Sequence, residues 1–119
     1  MENWRNLLGV FARSERLYAA ASDVVVDYGE DVPPTVLYGG LGRTLAREFT
    51  SLSTPEKVQI FDAIEEALNS EEVRQVELVA TGLLEGLFNA SVKLSCWEQI
   101  KPFLGIRSRT YLSAWTSWT

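Results

Sequence analysis

The sequence predicts an all-α fold: a single-domain bundle of five to six helices around a central helix at about 70–92. Three observations predict it. Apolar residues recur at three- and four-residue steps along nearly the whole chain, the period of one helix face. No segment alternates apolar and polar residues as a half-buried strand would. Helix-start and helix-stop residues fall between the periodic segments.

The central stretch, Ser70 to Val92, carries Val73, Val76, Ala80, Leu83, Leu84 and Leu87 at helical spacing, with Leu78, Val79 and Phe88 widening the face. A helix apolar over so much of its circumference is packed by neighbours on several sides. Ser70 is the expected N-cap, with Glu71 and Glu72 in the first turn, where the helix dipole favours negative charge. Gly82 and Gly86 lie four apart, each costing a helix about 1 kcal/mol against alanine. That cost is reasonable where a second helix must approach closely, so Gly82 is expected to face one. Glu77, Glu85 and Asn89 form a polar strip along the same helix.

The first helix is expected from about Asn3 to Tyr28, on the stripe Trp4, Leu7, Phe11, Tyr18, Ala21, Val25 and Tyr28, with Gly29 as a left-handed stop. Pro33 and Pro34 break the chain. A second helix starts near Pro34 or Thr35, where Leu37, Leu41, Leu45 and Phe49 step by four and Leu52 follows. The glycines of Tyr38-Gly39-Gly40-Leu41-Gly42-Arg43-Thr44 lack the spacing and the lysine of a phosphate loop. The apolar period runs through them, which favours close helix packing. A third helix starts at Ser53-Thr54-Pro55-Glu56: Thr54 as N-cap puts Pro55 at the first position, whereas Ser53 as N-cap makes a capping box with Glu56. Val58, Phe61, Ile64, Ala67 and Leu68 are its expected buried face, and Asp62, Glu65 and Glu66 lie off it. Asn69 ends it, and an antiparallel hairpin with the central helix should follow. Ser95 and Glu98 suggest a capping box for a short helix with Trp97, Ile100, Phe103 and Leu104. The last helix is expected from about Ser108 to Trp118.

At 119 residues the chain is one domain, long enough to close a core without disulfides or metal. It has no run of about 18 apolar residues to span a membrane. The start MENWRNLL shows no signal peptide, and Cys96 is a single cysteine, so a cytoplasmic protein is expected. The net charge of −5 and pI near 4.7 argue against nucleic-acid binding, which needs clustered Lys and Arg. The acid is concentrated. From Glu56 to Glu85 eight acids (Glu56, Asp62, Glu65, Glu66, Glu71, Glu72, Glu77, Glu85) face two bases (Lys57, Arg74), a net of −6. From Lys93 onward four bases (Lys93, Lys101, Arg107, Arg109) face one acid, Glu98, a net of +3. Such a split can steer a basic partner to one face, although a plain solubility surface has the same composition.

Catalytic groups are scarce. Histidine is absent, removing the commonest general base and metal ligand, and no cofactor or metal is expected. Cys96 has no activating histidine and sits beside Trp97, as a buried, inert thiol would. Adjacent Glu65-Glu66 and Glu71-Glu72 point apart on a helix and form no facing dyad. Asp62 and Glu66 share a face, but the glutamate–histidine motif of carboxylate di-metal bundles is missing. A binding surface remains. Its candidates are Asp62, Glu65, Glu66, Glu77, Glu85 and Asn89, together with Trp115 and Trp118, since tryptophan is enriched at interface hot spots. Closing a small core is the competing use of those rings.

Two pieces resemble a known group. Gly82-Leu83-Leu84-Glu85-Gly86-Leu87-Phe88-Asn89 resembles a G-[FL]-L-E-x-L-x-N pattern on the central helix of small helical bacterial proteins. Leu104-Gly105-Ile106-Arg107-Ser108-Arg109-Thr110-Tyr111 with Trp115 resembles the ending of the same proteins, and Thr54-Pro55-Glu56 fits their preceding helix start. That group is similar to immunity proteins encoded beside polymorphic or secreted toxins. The resemblance covers about half the chain. It implies no catalytic residues and a contact surface that varies with the toxin. The expected role is to bind a cognate toxin protein, one with a basic cleft, and block its active site or its substrate's approach. The alternative is a regulatory adaptor or antitoxin-like protein-binding module, including a phage-borne one.

Overall fold

The computed structural model describes residues 9–29 and 31–116. Helices α1 (Glu15–Tyr28), α2 (Pro34–Glu48), α3 (Thr54–Leu68), α4 (Val73–Glu77), α5 (Glu85–Lys93), α6 (Trp97–Ile100) and α7 (Ile106–Thr116) follow in order, and no strand occurs among the described residues. A π-helical stretch, Leu78–Leu84, joins α4 to α5, so the central helix is one continuous rod with a widened middle. Short 3-10 turns at Phe49–Ser51 and Lys101–Phe103 complete the all-α globule. Its radius of gyration, 13.0 Å, is that of a compact domain of this length.

The core gathers around the central helix. Leu78, Val79, Leu83, Leu84 and Leu87 are all buried there, against Leu37, Tyr38, Leu41 and Leu45 of α2. Glycines set this crossing. A Cβ on Gly42 would lie 2.2 Å from the Leu83 carbonyl oxygen, one on Gly86 2.4 Å from the Gly39 carbonyl oxygen, and one on Gly82 2.5 Å from the Tyr38 Cβ. Backbone meets backbone, which explains why glycine is kept inside two helices despite its low propensity. Gly82 thus faces another helix, as expected. The partner helix, however, is α2. The expected hairpin between α3 and the central helix reduces to contacts of α3 with α4 and the π stretch, while α5 packs on α2.

Several expected boundaries move. The first helix is broken by a turn at 12–13, and Ser14 caps α1 by accepting the Leu17 N–H at 3.3 Å. A serine side chain offers the backbone this alternative to a helix interior. Trp4 and Leu7 lie outside the described residues. Gly29 ends α1 at φ +79° and ψ −177°, a positive-φ stop that differs from the left-handed helical conformation expected. At α3 the capping box is the Ser53 one: Ser53 Oγ accepts from Glu56 N at 3.2 Å, and Glu56 Oε1 accepts from Ser53 N at 2.8 Å. Val58 is exposed instead of buried. The Lys57 ammonium covers the adjoining aromatic surface in its place, 4.4 Å from the Phe49 ring centre.

Ser70 does not cap the central helix. Its Oγ accepts from Glu72 N at 3.0 Å, and the helix begins at Val73, so Glu71 and Glu72 precede the first turn. Ser95 does not open α6 either. It adopts φ +61°, its N–H donates to Val92 O and the Cys96 N–H donates to Ser91 O, the paired bonds that terminate a helix. The serine read as a start is the stop of the preceding helix. Cys96 is buried, as expected of an inert thiol. The last helix begins at Ile106, two residues earlier than expected.

Candidate protein-binding surface

The candidate residues divide into two groups. Asp62 and Glu66 are exposed, one turn apart on α3, and accept no hydrogen bond or ion pair among the described residues. Glu77 is exposed at the end of α4, with the Arg74 guanidinium a loose 3.9 Å away. Glu71 and Glu72 are also exposed, in the turn before α4, and Val73 beside them is 69 % exposed. These exposed carboxylates, on the touching helices α3 and α4 and in the turn between them, make up the acidic edge of the molecule.

Glu65 belongs elsewhere. Its side chain is only 17 % exposed and turns toward α7. Oε1 accepts the Arg107 N–H at 3.0 Å, while Oε2 accepts the Ser108 N–H at 2.8 Å and the Ser108 hydroxyl at 2.7 Å. A carboxylate thus caps the start of α7, satisfying orphan donors where the helix dipole favours negative charge. Gly105 makes room for it, since a Cβ there would lie 2.1 Å from Glu65 Cγ. Glu65 was expected at the partner surface; the structure spends it on the fold. No local pattern announces a cap supplied from 42 residues away.

The second group lies between α5 and α7. Glu85 is half-buried and accepts the Tyr111 hydroxyl through Oε2. Burial, and then this carboxylate, push the Tyr111 phenol up to about 12. Asn89, one turn on from Glu85, is exposed. Trp115, one turn on from Tyr111, is 41 % exposed and meets Phe88 edge-to-face, with ring centres 5.8 Å apart. Phe88 packs in the same way on half-buried Trp97 at 4.9 Å. The aromatic rings are therefore divided: Trp97 and Phe88 help close the core, and Trp115 is exposed at its rim. Trp118 lies outside the described residues. No sequence pattern marks the Phe88–Trp97–Trp115 cluster, because its three rings come from three helices.

The polar strip of the central helix is thus not uniform. Glu77 and Asn89 face solvent, whereas Glu85 is held by Tyr111. On the outer side of α7 a shallow hollow of about 350 Å3 is lined by Ile106, Arg107, Thr110 and Tyr111. Among the described residues no three or more His, Cys, Asp or Glu side chains are grouped to hold a metal ion. No helix formed by them is long and apolar enough to cross a membrane. Comparisons of the chain with protein-family models, with curated proteins and with solved structures return no match.

Proposed function

We propose that the protein is a non-enzymatic immunity protein that binds a basic bacterial toxin stoichiometrically in the cytoplasm and neutralises it. One observation carries this reading. On α3, Glu65 is consumed by the fold while its neighbours Asp62 and Glu66 are exposed and unspent, and α4 adds Glu77 to the same edge. Exposed like charges side by side repel, so they contribute little to stability. They do raise the association rate of an oppositely charged partner. The resemblance of the Gly82–Asn89 and Leu104–Tyr111 segments to immunity proteins supplies the toxin as that partner.

The product of the adjacent reading frame is the protein to test. It should co-purify with this chain, and the chain should block its activity. In a variant carrying Asp62→Asn, Glu66→Gln and Glu77→Gln the melting temperature should stay nearly unchanged, while association at low salt slows. That deficit should fade as the Debye length falls from about 10 Å at 0.1 M salt to about 3 Å at 1 M. Association and protection equal to the parent's would leave the acidic edge as a solvated surface only.

A further inference from the structure

We propose that Glu85, Asn89 and Trp115 form a receptor for a guanidinium group, taking one arginine side chain of the basic partner. This rests on the proposed basic partner and gives it a chemical anchor. Glu85 and Asn89 are one helical turn apart on α5, so they share a face. Tyr111 and Trp115 are one turn apart on α7, and the Tyr111–Glu85 and Trp115–Phe88 contacts hold the two helices together at that level. Glu85, Asn89, Tyr111 and Trp115 thus lie on the two helices that these contacts join.

The chemistry there fits arginine. Tyr111 occupies only Oε2 of Glu85; Oε1 accepts no hydrogen bond among the described residues. The tyrosine bond fixes the carboxylate before any ligand arrives, which reduces the ordering cost of binding. A T-shaped contact with Phe88 covers at most one face of the Trp115 indole, whose 41 % exposure leaves surface for a cation to stack on. Asn89 adds an exposed amide carbonyl one turn away. A planar guanidinium can stack on the indole while donating in its own plane to Glu85 and Asn89, which an ammonium cannot do. The neighbouring arginines are turned elsewhere: Arg109 donates to Leu104 O and Pro102 O, and the Arg107 guanidinium lies 4.0 Å from Glu65.

The probe is N-acetyl-arginine amide, titrated into the 15N-labelled full chain, with the Trp115 indole N–H resonance assigned from Trp115→Phe. The Trp115 indole and Asn89 side-chain amide resonances should shift together and saturate. N-acetyl-lysine amide should bind more weakly, and the neutral citrulline analogue should leave both resonances in place. Glu85→Gln retains an acceptor for Tyr111 but removes the charge, and should weaken the arginine effect about tenfold, the scale of one charge-assisted bond. Equal shifts with the citrulline analogue, no change in Glu85→Gln, or no response at Trp115 and Asn89 would each overturn the proposal. The outcome is separable from the toxin reading. If the arginine probe fails while the adjacent gene product still binds through the acidic edge, only the guanidinium receptor falls.

Discussion

The crossing of α2 with the central helix and the seam between α5 and α7 are built on opposite principles. At the crossing, Gly42, Gly82 and Gly86 let two backbones touch, and nothing polar from a side chain is needed. At the seam, helices are held apart by rings and tied by side chains, through Tyr111 on Glu85 and Trp115 on Phe88. The first region is closed to solvent and intolerant of added atoms. The second keeps an exposed rim. A molecule with a closed, glycine-lined crossing at its centre can leave charged and aromatic groups at its edge for a partner.

The crossing should break first. Gly86→Leu forces side-chain atoms into the Gly39 backbone, which cannot move as a flexible side chain could, and should cost at least about 3 kcal/mol by overpacking. Gly82→Leu, facing Tyr38, should cost about 1–3 kcal/mol. By contrast, Gly9 has nothing within 4 Å of an added Cβ, and Gly9→Ala should be neutral or slightly stabilising in urea denaturation. Equal losses at Gly9 and Gly86 would mean that backbone proximity does not govern the cost.

At the seam, pH provides the probe. The Tyr111 phenol is raised from 10.0 to about 12, so the folded state holds its proton more firmly than the unfolded state. Its contribution is complete below pH 10 and is lost as pH rises toward 12. Melts of Tyr111→Phe should therefore lack the part of the alkaline decline that the parent shows in that window. A smaller effect belongs to Glu56, whose carboxyl is held below its usual 4.5 chiefly by the Ser53 backbone N–H. The sign is opposite: the contribution is present above pH 4.5 and fades as pH falls through the lowered value. Glu56→Gln should melt below the parent at pH 7 and converge with it in acid.

The same contrast explains what the sequence revealed. Helical periodicity reports which residues are buried, so the all-α class, the central helix and the close packing at Gly82 were legible. It does not report which helix is the neighbour, and α2 stood where α3 was expected. Local caps were ambiguous for a related reason: Ser70 and Ser95 have the right chemistry for N-caps, but one makes a turn before the helix and the other ends a helix. Carboxylates were the hardest to assign. Glu65 and Glu66 are adjacent and chemically alike, yet only the fold decides that one points at the start of α7 and the other at water.

That pair gives the most direct measurement of the account, that the acidic residues are divided between fold and surface. Thermal melts of Glu65→Ala and Glu66→Ala at pH 7 compare the same deletion at consecutive positions. Glu65→Ala removes three charge-assisted hydrogen bonds at the start of α7 and should cost about 2 kcal/mol, lowering the melting temperature by roughly 8–10 °C. Glu66→Ala should stay within about 0.5 kcal/mol of the parent. Equal losses at both positions, or a larger loss at Glu66, would contradict the division.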